Sequence, residues 1–206
     1  MEKISVTGIM ACDPNGLIGA EDHMPWHYPR ESQHFYNIIQ DKSVIMGYNT
    51  YISTPQHLRT RPGNIVFSHL HIPSEVASGA RFISSAEEFT NSFKTTSILD
   101  IHQQQGGSIR QLLESGNKEA VSSIQAHTTH YMIGGAQIFE LFVRNRWLDI
   151  FILTHIKQQH TGDVWLDLSY LHGWKILQIA DNPEFKVILY YNLASLADAE
   201  GAKNHI

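Results

Sequence analysis

This chain of 206 residues contains a single cysteine and unusually few charged residues. Cys12 is its only cysteine, which excludes an intramolecular disulfide framework and fits a reducing compartment. Charged residues make up 17% of the chain, against about 25% in typical soluble proteins. The 15 basic and 20 acidic side chains give a net charge of −5, and no Lys/Arg run occurs, so we expect no nucleic-acid partner.

Long apolar runs are also missing, since no stretch approaches the roughly 18 consecutive apolar residues of a membrane span. The first ten residues alternate polar and apolar types, which predicts a strand and not a signal peptide. We therefore expect a cytoplasmic protein without a membrane partner. We also expect a monomer. A hydrophobic fraction of 42%, together with 14 Gly, is typical of globular proteins, and the length allows one large domain or two small ones.

Short apolar runs alternate with helical patterns along most of the chain. Strand-like runs occur at Ile4–Met10, Ser43–Met46, Ile65–Phe67, Arg81–Ile83, Tyr131–Ile133, Ile150–Thr154, Ile176–Ile179 and Val187–Tyr190. Helices are predicted from Pro29 to about Gln40, from near Asn49, from Ser85 as N-cap, and over Ala136–Val143. This alternation predicts an α/β sheet with helices on both faces, closed by an antiparallel pair.

The pattern weakens between residues 95 and 129, where Gln103–Gly107 is polar and of low complexity. We interpret this stretch as a polar insertion, and we favour a solvent-facing decoration over part of an interface. The residues from 194 to 206 are small and polar, which predicts a flexible tail after a single domain over 1–193.

Glu31 lies in the first turn of the predicted helix that starts at Pro29. Phe35 at i+4 and Ile38 at i+7 place the carboxylate on the apolar face of that helix. A first-turn acid is often a solvated residue that interacts with the helix dipole. A carboxylate directed into an apolar cleft instead has a perturbed pKa or a cationic partner, which is a signature of a functional site.

Two buried strands run through glycine into a helix, at Val44–Thr50 and at Met132–Gln137. Helix N-termini present unpaired N–H groups, and glycine allows a phosphate to approach closely. The two junctions together could hold a dinucleotide pyrophosphate, although the chain has no G-x-G-x-x-G fingerprint. Either glycine alone is more often a packing or turn residue.

The order of these pieces resembles the dihydrofolate reductase family. The resemblance covers most of Ile4 to Leu193 except the stretch after Phe93. It rests on Leu17-Ile18-Gly19, Met24-Pro25-Trp26, Pro29, Glu31, Phe35, Val44-Ile45-Met46-Gly47, Thr50, Asn64-Ile65-Val66-Phe67-Ser68, Ile133-Gly134-Gly135-Ala136, Leu153-Thr154-His155-Ile156 and Gly162-Asp163. It implies a single domain with a mixed, mostly parallel twisted sheet of about eight strands and flanking helices.

The resemblance also implies hydride transfer from NADPH to C6 of dihydrofolate with protonation at N5, and it makes dihydrofolate and antifolate small molecules the expected ligands. The implied catalytic residues are Glu31, Trp26, Thr154 and Met24: Glu31 binds the pterin, Thr154 hydrogen-bonds Glu31, Trp26 holds a water, and Met24 lies in a loop over the nicotinamide. Substrate contacts are implied for Ile9, Ala11, Phe35, Leu58, Arg61 and Ile133. Cofactor contacts are implied for Ile18, Gly19, Gly47, Tyr48, Asn49, Thr50, Ser68, His69, Gly134, Gly135, Ala136, Gln137, Ile138 and Phe139, with a cis peptide between Gly134 and Gly135.

The chain departs from the family pattern at two places. Within Leu58–Asn64 the family's Arg-x-Asn is one residue longer, Arg-x-x-Asn. Arg61 is the candidate clamp for the glutamate carboxylate of the substrate, because Arg binds carboxylates bidentately, and the extra residue leaves Arg59 as a rival. Tyr48 and Gln137 stand where family members commonly carry basic residues. The 2′-phosphate of NADPH must then rely on Ser68, His69, His71 and backbone groups, which predicts reduced discrimination against NADH.

Other chemistries are less well supported. The 13 histidines include His69-x-His71 and His127-x-x-His130, but none has the ligand count of a metal site, so we expect no metal. Cys12 is interpreted as a buried small hydrophobe. The alternatives that remain open are a related reductase of riboflavin synthesis and a non-catalytic nucleotide-binding module.

Overall fold

The computed structural model describes residues 4–70, 79–93, 102–103 and 107–192. Its helices are α1 (Pro29–Ile38), α2 (Tyr48–Ser53), α3 (Gln56–Arg59), α4 (Ala86–Ser92), α5 (Ile109–Glu114), α6 (Glu119–His127), α7 (Ala136–Arg144) and a 3-10 helix (Leu168–Leu171). Its strands are β1 (Val6–Cys12), β2 (Leu17–Gly19), β3 (Ser43–Gly47), β4 (Ile65–Phe67), β5 (Arg81–Ile83), β6 (His102–Gln103), β7 (Gly107–Ser108), β8 (His130–Gly134), β9 (Leu148–Ile156), β10 (Val164–Trp165), β11 (Lys175–Asp181) and β12 (Phe185–Tyr191). The tail predicted from 194 onward and His71 lie outside the described residues.

Eight strands form one mixed sheet in the order β11-β12-β9-β1-β8-β3-β4-β5. The strands from β9 to β5 pair in parallel, while β12 is antiparallel to both β9 and β11. The predicted α/β fold, the strand number and the closing antiparallel pair are therefore confirmed. Because β1, β3 and β8 are parallel, their carboxyl ends meet at the same edge of the sheet, where α/β proteins commonly bind ligands.

Side chains alternate between the two faces of the sheet, as the period of a strand requires. On β1, Ile9 belongs to one buried cluster and Met10 to the other. The cluster of Ile9 also contains Ile38 of α1, so we call this side of the sheet the α1 face. The opposite side packs against α4 and α7 and contains Phe139.

The start of α1 follows from local sequence. Pro29 occupies the first turn, where its missing N–H is not needed, and the preceding Tyr28 is extended, as residues before proline usually are. The helix ends at Ile38, two residues before the predicted end, and the N–H of Ile39 closes its last turn on the carbonyl of Phe35. The predicted cap on α4 is confirmed, since Ser85 accepts a hydrogen bond from the N–H of Glu88 at 3.1 Å.

The prediction of a solvent-facing decoration over 95–129 is wrong for residues 109–127. Ile109, Leu113 and Ile124 of α5 and α6 are buried in the same cluster as the strand residues of the α1 face. The hydroxyl of Tyr191 on β12 also donates to the carbonyl of Leu113 at 3.1 Å. A capping box at Ser108 starts α5, so this stretch is a helical part of the core.

Candidate functional site

Glu31 is buried in the first turn of α1, with 5% of its surface exposed. Burial raises its pKa from 4.5 to about 7. Within the described residues, no hydrogen bond to the carboxylate offsets that effect. The perturbed pKa expected of a carboxylate on an apolar helix face is therefore confirmed.

Thr154 reaches the same face of the sheet from β9. It pairs with Ala11 of β1 and is flanked on the α1 face by Ile152 and Ile156. The hydrogen bond from Thr154 to Glu31 that the resemblance implies is not formed among the described residues. Both polar side chains are thus buried on one face of the sheet without bonding to each other.

Of the six implied substrate residues, all except Arg61 belong to the cluster on this α1 face. Ala11, Phe35 and Ile133 are partly buried there and keep some exposed surface. Ile9 and Leu58 are each 1% exposed, so their side chains belong to the core of the same cluster. The face therefore offers an apolar surface with an ionisable group at one end, which suits a flat, polar-edged ring system.

Trp26 precedes α1 and is buried, and its Nε1–H has no acceptor among the described residues. Met24, two residues earlier, is 47% exposed. In the segment between β1 and α1, the indole of Trp26 is thus buried, whereas the side chain of Met24 is about half exposed.

Sequence reasoning missed the anchors of this segment. The carboxylate of Asp13 is fully buried and accepts backbone N–H groups of Asn15 at 2.8 Å, Leu17 at 3.0 Å and His160 at 3.0 Å. The N–H of Asn15 at i+2 forms an Asx turn, and Asp followed by Pro-Asn-Gly is a sequence signal for such a turn. The bond to His160 spans 147 residues, and no local pattern predicts it.

A second link joins the same two segments further along. Gly19 pairs with Val164, and the N–H of Glu21 donates to Asp163 Oδ1 at 3.0 Å. Together with the bond from His160 to Asp13, this link ties the loop before α1 to the chain that follows β9.

The two strand–glycine–helix junctions are neighbours, as predicted. Met46 pairs with Gly134, and a Cβ on Gly135 would lie 3.4 Å from Thr50 Oγ1. Gly134 has a φ of 112°, which favours glycine, and the implied cis peptide to Gly135 is confirmed. Among the described residues, no side chain caps the N-terminus of α7, and no acidic residue lies in its first turn. These backbone groups fit a phosphate.

The remaining implied cofactor residues are distributed unevenly. Asn49 and Gln137 are exposed near the junctions, and His69 is exposed after β4. Tyr48 stacks on Tyr51, with the ring centroids 6.3 Å apart. Ala136 and Ile18 are partly buried against the cluster opposite the α1 face.

Three of the implied cofactor side chains have structural contacts instead. Phe139 is 1% exposed and packs on Phe151 at 5.0 Å, so its side chain belongs to the core and not to a cofactor surface. Ile138 is buried against Gly47, where a Cβ would lie 3.1 Å from Ile138 Cγ1. The hydroxyl of Ser68 accepts the N–H of Leu70 at 3.0 Å and shapes the turn after β4.

The two candidate arginines are held differently. Arg61 donates through Nη1 to the carbonyls of Ile39 at 2.8 Å and Lys42 at 3.3 Å, beside the end of α1. Arg59 lies over the ring of Tyr51 with its guanidinium carbon 5.7 Å from the centroid. Arg61 is therefore the more firmly oriented of the two.

Several other side chains are accounted for by packing. Cys12 is fully buried, and burial raises its pKa to about 12, which confirms its interpretation as a small hydrophobe. His155 donates to or accepts from the hydroxyl of Tyr190 at 2.9 Å, and burial lowers its pKa to about 4. In the described ranges no three His, Cys, Asp or Glu side chains gather as a metal site, and no helix is long and apolar enough to cross a membrane.

Comparison with known proteins gives consistent results. The family model described as dihydrofolate reductase matches residues 5–109. The dihydrofolate reductase of Mycoplasma pneumoniae is 27% identical over 190 residues, which are 92% of this chain and 99% of that protein. The Bacillus subtilis dihydrofolate reductase is 27% identical over 173 residues, 84% of this chain and 81% of that protein.

The fold is similar to that of a dihydrofolate reductase from Enterococcus faecalis complexed with NADP(H) and RAB-propyl. The TM-score is 0.57 and the sequence identity 17%, over 93% of this chain and 98% of the other. At this sequence identity, the structural similarity shows a shared fold.

Proposed function

The chain belongs to the dihydrofolate reductase family, and we propose that Glu31, Trp26 and Thr154 on the α1 face form the pterin side of its active site. The enzyme reduces 7,8-dihydrofolate to 5,6,7,8-tetrahydrofolate with NADPH, which supports one-carbon metabolism. One observation carries the assignment of the site: a buried carboxylate on an apolar face, with its pKa raised to about 7.

Glu31 binds the amino group and ring nitrogen at one edge of the pterin. Burial disfavours its ionised form, so donors on the ligand stabilise the carboxylate more strongly there than they would in water. N5 lies on the opposite side of the ring system, so Glu31 influences protonation at N5 indirectly, through water. The buried, unpartnered Nε1–H of Trp26 is suited to hold that water.

NADPH fits the pair of junctions next to the site. When bound, it supplies the hydride. The N–H groups at the start of α7 and the hydroxyl of Thr50 beside Gly135 would hold its phosphates. The loop that contains Met24 excludes water from the reacting atoms.

Arg61 is our candidate for the clamp on the glutamate carboxylate of the substrate. Among the described residues, its hydrogen bonds to the carbonyls of Ile39 and Lys42 use Nη1 alone, so the other guanidinium N–H groups can bind a carboxylate. Arg59 is oriented by the ring of Tyr51 instead. Pre-orientation of Arg61 lowers the entropy lost on binding, which favours it over Arg59.

We further propose that the domain over 1–193 acts as a monomer in the cytoplasm. Size-exclusion chromatography with light scattering tests the monomer directly. A dimer at micromolar concentration would contradict it.

One assay tests the proposed activity. The loss of NADPH absorbance is followed with dihydrofolate, with and without a diaminopyrimidine antifolate, and in parallel with a substrate of riboflavin synthesis. We expect turnover with dihydrofolate alone, inhibited by the antifolate, and a strong loss of turnover in Glu31→Gln at neutral pH. Normal turnover in Glu31→Gln would show that the carboxylate has no role in protonation.

A further inference from the structure

The ring of His160 lies between two aromatic residues of the segment that leads into α1. Its centroid is 5.5 Å from that of Trp26, with the planes tilted by 50°. The ring of Tyr28 meets it edge-on at 6.1 Å. The imidazole therefore covers one side of the indole that stands five residues before Glu31.

The backbone of His160 is held by a buried anchor. Its N–H donates to Asp13 Oδ2 at 3.0 Å, and Asp13 is fully buried at the end of β1. The other carboxylate oxygen accepts the N–H groups of Asn15 and Leu17. Because Asp13 belongs to the turn after a central strand, it fixes His160 relative to the sheet and not only to a surface loop.

The polar contacts of the imidazole are weak by comparison. The hydroxyl of Tyr28 lies 3.5 Å from His160 Nε2 and donates to Gln158 Oε1 at 3.1 Å. The ring contacts with Trp26 and Tyr28 are thus its main interactions. Aromatic pairs at such distances restrain each other's orientation.

We propose that His160, fixed through Asp13, is a positioning residue that holds the indole of Trp26 in its buried orientation beside the pterin. This inference rests on the proposed function and extends it to a residue far from Trp26 in sequence. A misplacement of about 1 Å in a site of this kind can lower the rate by up to two orders of magnitude, so loss of the ring affects turnover without touching substrate.

The test compares His160→Ala, which removes the ring, with His160→Phe, which keeps one. His130→Ala is the matched control, because its ring also lies on an aromatic residue, Phe93 at 5.0 Å, but at the start of β8. Two readouts are recorded for each variant: the indole ¹H–¹⁵N resonances of the four tryptophans, and kcat and KM for both ligands. Trp26→Phe assigns the Trp26 resonance.

In His160→Ala we expect the Trp26 resonance to move and its exchange with solvent to accelerate, while the other three indole signals stay in place. We expect kcat to fall about tenfold with the KM for NADPH unchanged, since Trp26 serves the pterin side. His160→Phe and His130→Ala should retain both kcat and the resonance.

An unchanged Trp26 resonance in His160→Ala, or an equal loss of kcat in His160→Phe or His130→Ala, would overturn the positioning role. Failure of the proposed function appears differently, as an absence of turnover in the unmodified chain. The resonance measurement still decides the positioning role in that case, because it needs no substrate.

Discussion

Glu31→Gln should make the protein more stable at neutral pH while it removes activity. The carboxyl is 5% exposed, and its pKa is raised from 4.5 to about 7 because burial disfavours the charge. Gln has nearly the same shape and no charge. The substitution therefore removes the desolvation penalty of an ionised group and leaves the packing of α1 largely intact.

The sign of the pH dependence follows from proton binding. Between pH 4.5 and about 7, folded Glu31 binds more protons than unfolded Glu31, so its contribution to the free energy of unfolding falls as pH rises. The shift corresponds to about 3 kcal/mol, reached above the folded pKa. Below 4.5 the carboxyl is protonated in both states and the contribution vanishes.

Urea unfolding of the ligand-free protein from about pH 4 to pH 8 measures this effect. The stability of Glu31→Gln relative to the unmodified protein should rise by about 3 kcal/mol across that range. Glu87→Gln is the control, since Glu87 is an exposed carboxylate in the first turn of α4. Its removal should change stability by less than about 1 kcal/mol, with little dependence on pH.

A difference between Glu31→Gln and the unmodified protein that stays constant with pH would refute the reasoning. It would mean that the carboxylate is solvated or hydrogen-bonded in solution. A ¹³C titration of the Glu31 carboxyl gives an independent check, with a midpoint expected near pH 7.

Four further predictions concern the other parts of the site and the core. Arg61→Ala should raise the KM for dihydrofolate about tenfold or more, and Arg59→Ala should not; the reverse in steady-state kinetics would reassign the clamp. Thr50→Val should raise the KM for NADPH about tenfold through loss of one hydroxyl beside the phosphate site, and an unchanged value would exclude that contact. The ratio of kcat/KM for NADPH to that for NADH should be modest in the unmodified chain and higher in Gln137→Arg; a strong NADPH preference from the start would contradict the reduced discrimination. Leu113→Ala should lower the free energy of unfolding by about 2–5 kcal/mol in urea titrations, because Leu113 is buried in the core. A change below about 1 kcal/mol would contradict the packing of α5 in the core.

The parts of the fold that were predictable have a local cause. Pro29 starts α1, the spacing of Glu31, Phe35 and Ile38 sets its buried face, and Ser85 caps α4. In each case a few neighbouring residues decide the backbone conformation, so a short sequence pattern is enough to predict the element. The same holds for the strand–glycine–helix junctions, whose order along the chain carried the family resemblance.

The parts that were not predictable depend on contacts between distant residues. The weak, polar pattern over 95–129 suggested an insertion, but α5 and α6 are held by the core of the α1 face. The hydroxyl of Tyr191, 78 residues away from Leu113, also donates to the Leu113 carbonyl. Phe139 follows a helix N-terminus in sequence, yet the face it presents to Phe151 is set by the packing of α7. Sequence proximity to a glycine junction does not decide which side chains reach a ligand.

The polar groups on the α1 face indicate that this surface binds a ligand and is not simply part of the hydrophobic core. Buried polar groups in native proteins are nearly always hydrogen-bonded, and an unbonded one costs stability. Here the Nε1–H of Trp26 is buried without an acceptor among the described residues, and burial raises the pKa of the Glu31 carboxyl, which is 5% exposed. A ligand with donors on one edge would hydrogen-bond Glu31 and favour its ionised form, so binding should strengthen as the ligand becomes more cationic. A protonated diaminopyrimidine should therefore stabilise the unmodified protein far more than it stabilises Glu31→Gln, and equal thermal shifts for the two proteins would contradict this account of the site.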